Sequence, residues 1–118
     1  EVLQLQQAVR DVHVEESVLE YIVRLVQATR DHPQVYLGAS PRGSIALYRT
    51  SQALALTRGR NYVTPDDVKE MAPLVLSHRM ILRPEAQLRS GGAEALVADL
   101  LNQVPVPGGL KSHAARRA

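Results

Sequence analysis

The run Gly38-Ala39-Ser40-Pro41-Arg42-Gly43, continued by Ser44-Ile45-Ala46-Leu47-Tyr48 and closed by Thr57-Arg58-Gly59, decides how the chain is organised. A serine hydroxyl can accept from the free N–H groups that open a helix, so Ser40 suits the cap position. Pro41 suits the first helical position, where its fixed φ is already helical and its missing N–H is not needed. Ile45, Ala46, Leu47, Tyr48, Ala53, Leu54, Ala55 and Leu56 then put apolar side chains on most sides of the helix. That is the pattern of a central, buried helix. Gly59 is the residue that ends it.

The flanking segments repeat the helical theme. Val2, Leu5, Val9 and Val12 share one helical face, and a second helix from about Glu15 turns Val18, Leu19, Ile22, Leu25, Val26 and Thr29 inward. It should stop near Asp31-His32-Pro33, because the residue before a proline avoids the helical region. Gln34-Val35-Tyr36-Leu37 is too short for a helix and reads as an extended connector. Downstream, Thr64-Pro65-Asp66-Asp67 is a second strong helix start, with a capping threonine, a proline at the first position and two carboxylates at the positive end of the helix dipole. Val68, Met71, Ala72, Val75 and Leu76 carry that helix on, with a kink expected at Pro73. Met80-Ile81-Leu82 is a short apolar segment, and Gly91-Gly92 marks a flexible joint. Ala93, Val97, Leu100, Leu101 and Val104 form a last amphipathic face. The expectation is an all-α fold: a small bundle of about five helices with short extended connectors over residues 1–104, then a flexible basic tail over 105–118.

Composition agrees with this architecture and narrows the function. The chain has 118 residues, 45% of them hydrophobic, with no Phe, no Trp and four Tyr, so the core must be aliphatic. There is no cysteine, which excludes disulfides and thiolate metal sites. The formal charge is +2, but Lys111, Arg116 and Arg117 lie in the tail; setting those three aside leaves 11 basic residues against 12 acidic ones. A near-neutral body offers no basic stripe for nucleic acid, and none is expected as a partner. No apolar run is long enough for a membrane span, and no signal-peptide pattern opens the given residues. A cytoplasmic protein is expected, and Glu1 in first place suggests one domain of a longer polypeptide.

No complete catalytic set is present. There is no glycine-rich loop ending in Lys-Ser or Lys-Thr to cradle phosphates. His13, His32, His78 and His113 lack metal-ligand spacing and read as surface or capping residues; no metal site is expected. Asp66 and Asp67 are explained by their place in a helix first turn. Arg42 is different. Helix starts favour acids, and an arginine there opposes the dipole by about 0.3–1 kcal/mol. A bound anion removes that penalty, so Arg42 points to a phosphate partner.

At this point the chain resembles a known family. Gly38-Ala39-Ser40-Pro41-Arg42 looks like the sensor-2 motif of MoxR-type AAA+ ATPases. Further stretches agree in order and spacing: Val12-His13-Val14, Tyr21-Ile22-Val23 leading to Ala28-Thr29-Arg30, the run from Gly59 to Val68, and Val75-Leu76-Ser77-His78-Arg79. The resemblance covers roughly residues 5 to 83. It implies the helical lid that follows an ATP-binding core, with the phosphate loop, magnesium-binding carboxylates and arginine finger lying in that absent core. It further implies Gly38, Ser40, Pro41 and Arg42 as nucleotide-contacting positions, with Arg42 assisting hydrolysis only when the core is present. ATP and Mg would be used by the full-length protein, with neither held tightly by this domain alone. Implied partners are the core of the same polypeptide, neighbouring subunits of a ring and a von Willebrand A-domain protein. The implied role is chaperone-like, in maturing complexes or inserting cofactors. Two positions depart from the family pattern: Glu15 where a capping serine is common, and Gly43 where alanine is frequent. The alternatives are a histone-fold-like or other helical DNA-binding or dimerisation module, favoured by Thr64 to Val68 after Arg58 and Arg60, and a helical scaffold with no nucleotide role.

Overall fold

The computed structural model describes residues 2–88 and 91–107. Its elements run α1 (Val2–Arg10), α2 (Glu16–Asp31), β1 (Val35–Leu37), α3 (Pro41–Thr57), α4 (Pro65–Leu76), β2 (Ile81–Leu82), α5 (Pro84–Gln87) and α6 (Gly92–Gln103). The expected all-helical bundle is present, and α3 is its centre, packed against α1, α2 and α4. The extended connector and the apolar segment before Pro84 have a purpose that their lengths alone do not disclose. They pair as an antiparallel ribbon, Val35 with Leu82 and Leu37 with Ile81.

The helix boundaries follow local chemistry. Ser40 caps α3, its hydroxyl accepting the Arg42 N–H at 3.2 Å, and Arg58 closes the far end before Gly59 turns away at φ +76°. Only a glycine enters that left-handed region without penalty. Thr64 and Asp67 form a reciprocal capping box at the start of α4. The helix runs through Pro73 to Leu76 as one element. Glu15 precedes α2 without a side-chain cap, as its residue type implied.

The core is aliphatic apart from Tyr21. Burial, and next the charge of Asp66, push the Tyr21 hydroxyl up to about 12, so it stays neutral. Several expected core faces are revised. On α1 no residue is buried, and Val2 and Leu5 are 68% and 64% exposed; among the apolar residues assigned to that face, Val12 alone is buried, in the loop beyond the helix. On α2, Leu19 faces out while Tyr21 faces in. A 16-residue helix packs a stripe rather than all its apolar positions. On α3, Leu47 and Ala55 are fully buried, Leu54 is half-buried, and Ile45 is 61% exposed. The buried face of α3 is completed by small and polar residues, Gly43, Ser51 and Gln52. At the C-terminal end Val104 and Val106 pack on the core and Pro107 is buried. Of the tail expected over 105–118, residues 108–118 lie outside the described residues.

Two buried polar groups close the bundle. The Gln52 amide donates to the carbonyls of Val12 at 2.8 Å and Arg10 at 3.5 Å, and its oxygen accepts from Arg49 at 3.0 Å. This ties the segment after α1 to α3. The neighbouring residues add a bridge to the α3–α4 loop, His13 donating its N–H to Asn61 at 2.8 Å and accepting from Val63 at 2.9 Å. Asp67 is the second. Its carboxylate is fully buried and receives both Nη groups of Arg60 at 2.6 Å and the Thr64 N–H at 2.9 Å. Arg58 lies 3.6 Å away and also reaches Glu70 at 2.7 Å. Burial pushes the Asp67 carboxyl up, but the Arg60 hydrogen bonds, the Thr64 N–H and the Arg60 charge outweigh it and hold it below the usual carboxylate range.

Two outcomes follow for stability. Leu47→Asp, which buries an unpaired charge, should lower stability by several kcal/mol, while Leu54→Asp at the half-buried position should do less harm; thermal melts of the two variants check the order. A carboxyl held low in the folded state stabilises above its unfolded value near 3.9 and loses that contribution as pH falls through the folded value. Arg60→Ala leaves the Asp67 charge buried without its partner, so it should lower stability at neutral pH by about 3–5 kcal/mol. It should also raise the Asp67 pKa, measured by carboxyl NMR titration of parent and variant.

Candidate functional site

Arg42 sits at the second position of α3, exposed, on a helix with no acidic residue in its first turn. Among the described residues no carboxylate pairs with it. That combination leaves its five N–H donors available to an outside acceptor. Ser40 and Pro41 are exposed beside it and serve the helix start: Ser40 accepts from the N–H of Arg42 through its hydroxyl and from the N–H of Gly43 through its carbonyl, the latter at 2.8 Å.

The loop that presents this turn rests on the last turns of α2. Thr29 donates its hydroxyl proton to the Val26 carbonyl at 2.6 Å and accepts the Ala39 N–H at 3.0 Å. Arg30 donates Nε–H to the Ala39 carbonyl at 3.0 Å. Gly38 lies against Arg30 so closely that a Cβ would fall 2.6 Å from Arg30 Cγ and 2.7 Å from its Cα. The need for glycine at 38 is therefore met inside the domain, by the approach of the loop to α2. Gly43 is also buried; a Cβ there would meet Ala39 Cβ at 3.2 Å, with Leu76 and Arg79 next nearest. The departure from alanine at this position thus matches a tight seat.

The other titratable residues do not gather into a reaction centre. Among the described residues no three of His, Asp and Glu stand close enough to hold a metal ion. His32 accepts the Gln34 N–H at 3.1 Å through Nδ1, a turn-forming role. Asp67 is used up by Arg60 and the helix cap. A groove at the start of α2 is lined by Glu15, Glu16, Ser17, Leu19 and Glu20, and three carboxylates make it a poor place for a phosphate. Sequence reasoning singled out Arg42, turned Thr29 inward and counted Thr29 and Arg30 in a family stretch, but did not see that they hold the loop before α3. The signal was present in the polar Thr29 on an otherwise apolar face. For Asp67 the Thr-x-x-Asp spacing announced the cap, while the partner Arg60 lay beyond what spacing reveals.

The fold agrees with what the chain is similar to. Residues 27–100 match the family model of the AAA lid domain. The YeaC protein of Bacillus subtilis is 52% identical over 103 residues, covering 87% of this chain and 32% of that protein. The chaperone MoxR1 of Mycobacterium tuberculosis is 36% identical over 116 residues, covering 91% of this chain and 31% of its own length. A presumptive ATPase of Cytophaga hutchinsonii superposes with a TM-score of 0.79 at 33% identity, over 85% of this chain and 33% of that structure. The chain therefore spans about a third of the length of these relatives. The chain belongs to the AAA lid domain family, and it is the helical lid of a MoxR-type AAA+ protein.

Proposed function

We propose that this domain is the nucleotide-sensing lid of a MoxR-type ATPase, closing over ATP held by a core domain of the same polypeptide. The observation that carries the reading is Arg42: an exposed guanidinium in a helix first turn, without a carboxylate partner among the described residues and opposed by the helix dipole unless an anion is near. Arg42 donates charge-assisted hydrogen bonds to the terminal phosphate. Ser40 and Pro41 start the helix that aims it. A contact made to ATP and absent with ADP gives the two nucleotide states different lid positions, which is the condition for a switch. The residues described here fit one part of a nucleotide site, its terminal phosphate. The magnesium-binding carboxylates and the phosphate loop belong to the core.

The wider assignments rest on the relatives. A relative named as a chaperone supports a chaperone-like role in complex maturation or cofactor insertion; a magnesium-chelatase subunit homologue of Methanocaldococcus jannaschii, 31% identical over 105 residues, is also similar. Assembly into a ring, a von Willebrand A-domain partner and a cytoplasmic location complete the proposal. Among the described residues no helix is long and apolar enough to cross a membrane.

Two measurements test the reading. The 118-residue chain alone should show no ATP turnover, because hydrolysis needs the phosphate loop and metal ligands; activity that scales with chain concentration through repurification counts against it. In the complete polypeptide Arg42→Ala should remove a contact worth roughly 1.5–3 kcal/mol, lowering turnover at least about tenfold. ADP affinity should change less than ATP affinity, and Arg42→Lys should restore little, since an ammonium lacks the planar fork. The control is Arg24→Ala on α2, an exposed arginine that among the described residues pairs with Glu20. Arg49 is unsuitable because it holds the buried Gln52 and stacks 5.3 Å from the Tyr48 ring. Equal behaviour of the Arg42 and Arg24 variants would sink the sensing role.

A further inference from the structure

Both polar groups of one peptide residue, Ala39, are gripped by consecutive residues of α2. Thr29 takes its N–H at 3.0 Å and Arg30 Nε–H is donated to its carbonyl at 3.0 Å. Thr29 is fully buried, and its own proton is committed to Val26 at 2.6 Å. With that proton placed, the lone pairs of the hydroxyl point in a set direction. Gly38 removes the remaining slack, since the loop backbone lies directly on Arg30. From Ala39 the chain needs three residues to reach Arg42, and two of them are the cap and first position of α3, with Ser40 holding the Arg42 N–H. The orientation of the first turn of α3 is thus tied to α2 through these hydrogen bonds and the close contact at Gly38.

We propose that Thr29 is a positioning residue for Arg42, its hydroxyl acting with Arg30 Nε–H to set the direction in which α3 presents the guanidinium to a nucleotide phosphate. This rests on Arg42 as the phosphate-sensing residue. The hydroxyl, and not the volume of the side chain, is what matters: valine has the same shape but leaves the buried Ala39 N–H without its acceptor. The loop then shifts to find another, and Arg42 moves with it. A misplacement of about 1 Å at a reacting site can cost on the order of a hundredfold in rate.

The test is a double-mutant cycle on the complete polypeptide, reading ATP turnover and the affinities for ATP and ADP. Thr29→Val should lower kcat roughly ten- to hundredfold and leave ADP affinity near the parent value. Thr29→Ser, which keeps both hydrogen bonds, should restore turnover. In the Arg42→Ala background Thr29→Val should add no further loss, since residues acting through one another are not additive. Losses that simply multiply, or a Thr29→Val protein as active as the parent beside an impaired Arg42→Ala, overturn the positioning role and leave the sensing role of Arg42 standing. An Arg42→Ala protein as active as the parent overturns both. If Thr29→Val lacks a cooperative melt, Arg30→Met takes its place, keeping the aliphatic stem over Gly38 and removing the Nε–H donor. It should lower turnover severalfold in the Arg42 protein and not in Arg42→Ala; an equal fall in both overturns the proposal.

Discussion

A single buried carboxylate holds the bundle in register. Asp67 is out of water, and a charge in that position is tolerated only when its hydrogen bonds are all met. Arg60 supplies two and the Thr64 backbone a third, so the loop between α3 and α4 has one conformation in which the charge is compensated. That same loop carries the backbone bridge from His13 to residues 61–63. Fixing Arg60 therefore also fixes how the segment after α1 crosses the bundle. Gln52 repeats the principle on the other side, a buried amide whose donor and acceptor are both used between α3 and that segment. These polar closures give a small aliphatic core, which by itself would accept several packings, one defined arrangement.

The domain divides its charges by function. The buried carboxylate is saturated, and the two arginines of the α3–α4 loop are spent on it and on Glu70. Arg42 is left exposed and without an acidic partner among the described residues. The salt-bridge network and the proposed sensing residue thus sit at opposite ends of α3: Arg58 and Arg60 close the C-terminal end on Asp67 and Glu70, while Arg42 is exposed at the N-terminal end.

Much of this was legible from local chemistry. The caps at Ser40 and Thr64, the stop before Pro33 and the turn at Gly59 depend on interactions within a few residues, and such interactions are written into neighbouring side chains. Arg42 stood out for the same reason, being the wrong charge for its place in a helix. The misassigned faces of α1 and α2 have the opposite origin. Whether Leu5 or Leu19 is covered depends on which helices lie opposite, and periodicity reports only that a face exists. Ile45 and Leu54 were assigned to a buried helix that is apolar on most sides, whereas neighbours cover only part of it and leave Ile45 in solvent.

What the sequence by itself determined was five of the six described helices, the capped starts of α3 and α4, the aliphatic nature of the core and the one arginine placed against a helix dipole, all governed by short-range sterics, hydrogen bonding and charge. What only the tertiary structure decided was partnership across the chain. Arg60 with Asp67, Gln52 with Val12, Val35 with Leu82, and Thr29 and Arg30 with Ala39 join residues 7 to 47 positions apart. No local rule selects these pairs from the many donors and acceptors available. They form because folding removes water from both members together, and a buried donor or acceptor must then find its partner within the protein.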